Sequence, residues 1–146
     1  MVKNPPEGTQ RIIPYLYYAD APAAIDFLCR AFGFTERFRM PDAAGAVMHA
    51  ELSLADNIVM LATAPAERGC TSPRDLPALH SSVGIYVDDV DAHHAQAKAA
   101  GAHIRDEPTD QFYGDRTYSA TDPEGHHWHF LTHFRDVPLE EMLGPR

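Results

Sequence analysis

Between Arg11 and Thr63 the spacing of apolar positions changes several times, and each change marks an element. Arg11 to Tyr18 alternates, with Ile12, Pro14, Leu16 and Tyr18 on one side and Ile13, Tyr15 and Tyr17 on the other, which predicts a strand. Pro14 cannot donate to a ladder and marks a strand start or an edge. Asp20 then offers an N-cap and Pro22 a first turn. Ile25, Leu28, Cys29 and Phe32 recur at helical spacing, and Gly33 stops the helix. Phe34 to Met40 alternates, Pro41 to Gly45 turns, and Val47 to Leu54 alternates again. In that strand Met48, Ala50, Leu52 and Leu54 form the apolar face, and Val47, His49, Glu51 and Ser53 a mixed one. Asp56-Asn57 turns into a last strand, Ile58 to Thr63.

The same order then returns. Residues 64–80 carry Pro65, Gly69, Pro73 and Pro77 and hold no period, so they read as a linker or lid. Ser81 to Val87 is a strand, with Val83, Ile85 and Val87 opposite Ser82, Gly84 and Tyr86. Asp89 caps a helix running to Ala100, and Gly101 ends it. His103 to Glu107 is a short strand, and Tyr113-Gly114 a turn. Arg116 to Thr121 and His126 to His133 are strands joined by Asp122-Pro123-Glu124-Gly125, where Pro presets φ and Gly accepts a positive one. Trp128 and Phe130 share a face that should meet a helix. His127, His129 and Leu131 share the other, left for a ligand. Ala31-Phe32-Gly33-Phe34 corresponds to Ala99-Ala100-Gly101-Ala102, and Tyr18-Ala19-Asp20 to Val87-Asp88-Asp89. Residues 1–146 thus read as a single domain of two βαβββ modules, 11–63 and 81–134, joined by the 64–80 loop. A loose, Pro-bearing arm precedes them.

YGDR at 113–116, DPEGHHWHF at 122–130, IPYLYYADAPAAIDFLCRAFGF at 13–34 and VMHAELSLADNIVML at 47–61 together resemble the vicinal-oxygen-chelate superfamily. That superfamily holds glyoxalase I, bleomycin-resistance proteins, fosfomycin-resistance enzymes and extradiol dioxygenases. The likeness runs over residues 11–134 and is greatest to the glyoxalase-like, bleomycin-resistance-type branch. It implies an α+β fold in which the βαβββ modules form a curled mixed-sheet cup with a concave ligand face. It also implies a homodimer, since many members build each cup from modules of both chains. The superfamily's metal positions fall here on Ile13 (or Pro14), Met60, Ser82 and His129. Only His129 is a good ligand for a divalent ion, which wants several His and carboxylate groups at one point. No metal is therefore expected in the usual place, and His129 reads as a polar wall residue.

Composition narrows the classes further. The 146 residues are 45% hydrophobic and 23% charged, ordinary for a globular chain. The net charge of −9 comes with no cluster of Lys or Arg, against nucleic-acid binding. No apolar run approaches the roughly 20 residues of a membrane span. Cys29, in a helix, and Cys70, in a loop, make no disulfide framework, which fits a reducing cytoplasm.

Candidate chemistry lies on the predicted concave face. Tyr15, Tyr17, Tyr86 and Tyr118, with Met60, would line the cup with rings suited to a planar or amphipathic ligand. His49 and Glu51 share a face and could bind an ion, act as acid and base, or form a polar rim pair. Arg116 shares a face with Tyr118 and could fork onto a ligand carboxylate or pair with Glu51 or Asp115. Of His126, His127 and His129, only the last two share a side. His94 is expected against the sheet and His93 in water, both without chemistry; His127 and His133 read as solvent or rim groups, and His80 as a loop residue with no evident partner. The sequence favours a protein that binds a small molecule without a cofactor. The alternative is a divalent-metal lyase, isomerase or dioxygenase that rebuilds a site from His129 with His49 and Glu51, or with a residue of a partner chain. A metal-free enzyme with Glu51 as base ranks last. No catalytic residue is assigned beyond the candidates Glu51 and His129.

Overall fold

The computed structural model describes residues 1–146 and has the predicted element order. The first module comprises β1 (Tyr15–Tyr18), α1 (Ala21–Phe32), β2 (Thr35–Pro41), β3 (Val47–Leu54) and β4 (Asn57–Thr63). The second comprises β5 (Val83–Tyr86), α2 (Val90–Ala99), β6 (His103–Asp110), β7 (Asp115–Thr121) and β8 (His127–His133), followed by a short α3 (Leu139–Met142). Each makes a four-stranded open sheet, ordered β1-β4-β3-β2 and β5-β8-β7-β6. The outer-to-inner pairs β1/β4 and β5/β8 are parallel and the rest antiparallel. No helix is long and apolar enough to cross a membrane.

Local chemistry explains most boundaries. Asp20 accepts from the Ala23 N–H at 3.1 Å, Pro22 sits in the first turn, and Gly33 at φ 81° ends α1. β1 is shorter than the alternation from Arg11 predicts, starting just after Pro14, whose carbonyl still accepts from Met60 N at 2.9 Å. The arm is tied down at Gln10, whose side-chain amide donates to Ile58 O and accepts from Ile58 N. β6 extends past Glu107 to Asp110, its register broken between Asp106 and Thr109, around Pro108. In β3 the alternation breaks once. Met40 pairs with His49 and Pro41 with Val47, so Met48 bulges out and is exposed instead of joining Ala50 and Leu52 in the core.

A single core spans both modules. Trp128 and Phe130 are fully buried, with Phe32 of α1 at ring distances of 5.5 and 4.9 Å. Phe34 adds an edge contact to Trp128 at 5.7 Å. α1 packs on α2, and His93 seals that seam: its Nδ1 lies 2.6 Å from Tyr118 Oη and its Nε2 2.8 Å from Phe32 O. Burial lowers the His93 pKa, so the neutral ring donates to the carbonyl and accepts from the tyrosine. His93 is therefore an inter-module bridge, not a solvent residue as the sequence implied. His94 packs edge-on against Tyr118, with Nε2 2.7 Å from Glu107 Oε2 but outside hydrogen-bond alignment.

The Asp122–Gly125 turn does more than reverse the chain. Asp122 accepts from Tyr18 Oη at 2.6 Å, from Trp128 Nε1 at 3.1 Å and from the backbone of Glu124 and His126. Glu124 accepts from Ala19 N at 2.6 Å, from Asp20 N at 2.8 Å and from the Ser72 hydroxyl. The segment most characteristic in sequence thus clamps the second module onto the β1–α1 junction and pins the long loop at Ser72. Short 3₁₀ turns at Ala66–Arg68 and Pro73–Asp75 are that loop's only regular structure.

Candidate functional site

Strand alternation turns Leu16 and Tyr18 to the core and leaves Tyr15 and Tyr17 on the outer face of the first sheet, ring centroids 5.4 Å apart. Tyr15 pairs across to Met60, and Met60 to Glu51, so β4 sits between the tyrosines and the β3 polar residues. Tyr15 Oη reaches His49 Nδ1 at 2.8 Å, and burial raises its pKa, so it keeps its proton. His49 Nε2 stands 3.6 Å from Glu51 Oε1, and Arg37 of β2 pairs with Glu51 Oε2 at 3.2 Å. The Phe38 ring lies 5.7 Å from His49.

Two cavities border this face. One of about 690 Å³ is lined by Tyr15, Tyr17, Met48, Pro65, Arg68 and Cys70, so the start of the 64–80 loop forms its wall. The other, about 500 Å³, lies between the arm (Arg11, Ile13) and Arg37, Phe38, Glu51 and Met60. Arg37 and Phe38 were not singled out from sequence. The signal was present in the turn at 41–45, which folds β2 back along β3 and sets Phe38 opposite Glu51.

The second sheet carries the remaining candidates on its own outer face. His129 pairs with Gly84 and Ser119, and Ser82 lies exposed just before β5. Tyr86 donates to Asp115 Oδ2 at 2.7 Å, a bond that raises its pKa. The buried Asp115 also takes His133 Nδ1 at 2.7 Å, and His133 Nε2 meets Asp136 at 2.9 Å. Asp115 first, then Asp136, hold the His133 pKa above its ordinary value. His127 lies 2.8 Å from Arg105, and burial and that cation lower its pKa.

Two candidates fall on the wrong side of β7. Arg116 and Tyr118 do share a face, but it is the helix face. Tyr118 is wholly buried against Phe130 and His93, and lines no cup. Arg116 forks onto Asp91 of α2 at 3.0 to 3.2 Å and reaches Asp110 at 2.9 Å, pairing with neither Glu51 nor Asp115. The other candidates divide by module, with Tyr15, Tyr17, His49, Glu51 and Met60 on one sheet and Ser82, Tyr86 and His129 on the other. None of the larger cavities is lined by both groups. The modules meet through α1, α2 and the Asp122–Gly125 clamp, so one chain does not bring the two faces together.

The donor chemistry does not fit the superfamily's metal. Ile13 and Met60 offer no His or carboxylate group, and no three His, Cys, Asp or Glu side chains converge on a point. At His49 and Glu51 the carboxylate already faces Arg37, whose charge would repel a second cation.

A family model described as the Glyoxalase/Bleomycin resistance protein/Dioxygenase superfamily matches residues 11–130, and the chain belongs to that superfamily. It is 36% identical over 132 residues to the uncharacterized protein Rv0887c of Mycobacterium tuberculosis, covering 88% of this chain and 78% of that one. Among solved structures it resembles TioX from Micromonospora sp. ML1, at 35% identity and a TM-score of 0.68, covering 86% of this chain and 99% of TioX. The fosfomycin resistance protein FosX of Listeria monocytogenes shares the fold at 15% identity and a TM-score of 0.64, over 92% of this chain and 98% of its own.

Proposed function

We propose that the protein binds a small aromatic or amphipathic molecule against the tyrosine-bearing face of the first sheet, without a metal. The observation that carries this is the Tyr15–Tyr17 ring pair, solvent-accessible beside two cavities on a face with no metal donor set. Stacking on such rings with a few hydrogen bonds at the hydroxyl tips suits a flat ligand. Membership of a superfamily whose name joins glyoxalases, bleomycin resistance proteins and dioxygenases is compatible with holding a small compound. A second copy of the chain completes the cup by bringing the Tyr86, Ser82 and His129 face opposite the tyrosines, which one chain alone does not do. The test is a thermal-shift screen of planar aromatic compounds in chelator, paired with sedimentation velocity. Stabilisation of a dimer by flat compounds, lost in Tyr17→Ala, is the expected result. Stabilisation only after a divalent ion is added would favour the metal-dependent lyase, isomerase or dioxygenase instead.

A further inference from the structure

One side of the candidate face is a connected polar chain drawn from three strands. It runs from Arg37 to Glu51 at 3.2 Å, from Glu51 to His49 Nε2 at 3.6 Å, and from His49 Nδ1 to Tyr15 Oη at 2.8 Å. Glu51 is largely shielded, its side chain 14% exposed, while Tyr15 is 40% exposed. Tyr15 is thus the end that a ligand can touch. The groups facing His49 are the Tyr15 and Phe38 rings and Glu51, with Arg37 behind Glu51. With Tyr15 donating to Nδ1, the imidazole carries its proton on Nε2, toward the carboxylate.

We propose that this chain takes the proton of an acidic hydroxyl on a bound aromatic ligand and holds that ligand as its phenolate. The inference rests on the binding reading above and names the ligand class for the same face. The ligand's O–H bond breaks and its proton goes to Tyr15 Oη, while the tyrosine's own hydroxyl proton passes to His49 Nδ1. Tyr15 ends protonated, now donating to the ligand oxyanion and accepting from His49. The imidazolium donates its other N–H toward Glu51. Charges then alternate along the row as Arg37 positive, Glu51 negative, His49 positive and ligand negative, and the total is unchanged. Each charge in the row then has an opposite charge as its neighbour. The arrangement follows the order of a nucleophile–imidazole–carboxylate row, with a ligand hydroxyl as the group deprotonated.

The experiment uses the full chain and 4-nitrophenol, whose phenolate has its own visible absorbance band. Binding is measured by equilibrium dialysis and ionisation by the absorbance of the bound fraction across pH. We expect the bound probe to ionise about one pH unit below the free probe, roughly a tenfold change in its acid constant. In His49→Gln and in Glu51→Gln that shift should collapse whatever the change in affinity, with circular dichroism confirming the fold. A bound probe that ionises at the free value overturns the inference and leaves the binding reading intact. So does a shift that survives both substitutions. Failure of 4-nitrophenol and of the flat aromatic panel to bind wild-type protein overturns both.

Discussion

Removing the Glu124 carboxylate tests whether the turn is a clamp between modules. Glu124 is 7% exposed, and its carboxylate receives two backbone N–H groups and one hydroxyl, all from outside its own module. A hydrogen bond to a charged group contributes about 1.5–3 kcal/mol, and part returns when water reaches the freed amides. Allowing about half for that recovery, the three bonds together make Glu124→Ala cost about 2–4.5 kcal/mol, a large share of the 5–15 kcal/mol typical of a domain. The assay is urea unfolding at pH 7.5, followed by the fluorescence of Trp128, the single and fully buried tryptophan. Loss of the Ser72 anchor should also speed tryptic cleavage after Arg68 and Arg74 in the native protein. Glu67→Ala, an exposed residue of the same loop, serves as control and should change stability by less than about 0.5 kcal/mol. A loss under about 1 kcal/mol with unchanged cleavage would refute the clamp.

Further outcomes follow from the same geometry. His93 has a lowered folded pKa, so its contribution is present above its unfolded value near 6.5 and is lost as pH falls toward the folded one. Urea midpoints should decline from pH 7 to pH 5 and decline less in His93→Gln; an equal slope would contradict this. A Cβ at Gly114, where φ is +95°, would lie 2.0 Å from Arg135 O. Gly114→Ala should therefore destabilise by at least about 2 kcal/mol and expose the C-terminal segment to protease. Trp128→Ala should cost about 3–5 kcal/mol by its cavity, whereas Tyr86→Phe, at an exposed ring, should cost far less; thermal melts decide both.

What the sequence made legible was what repeats locally. The caps of α1, the modular order, the faces of β8 and the polar face of β3 follow from side-chain period and from Asp, Pro and Gly positions. Alternation identifies which residues share a face, but not which face a helix covers. That is why Arg116 and Tyr118 were paired rightly and placed wrongly: Asp91 and His93 of α2 decide their direction. α2 is short and rich in Ala, so its apolar side is poorly marked and His93 and His94 could not be ordered from their spacing. The Met48 bulge depends on how β2 meets β3, and Pro108 breaks a strand that continues beyond it. That Tyr15 and Tyr17 share no cavity with Tyr86 in one chain arises from packing between modules, which no local pattern encodes. The most recognisable motif, at 122–126, proved to be a fastening and not the site.

Metal-free binding on the Tyr15–Tyr17 face is what separates the proposed role from a metal-dependent one. Isothermal titration calorimetry of the tightest flat aromatic ligand, in EDTA, tests it directly on wild type, Tyr17→Ala and His129→Ala. Saturable binding indifferent to chelator is expected, weakened about tenfold or more by Tyr17→Ala, consistent with stacking losses of about 1–3 kcal/mol. Binding that appears only with a divalent ion and vanishes in His129→Ala would contradict it.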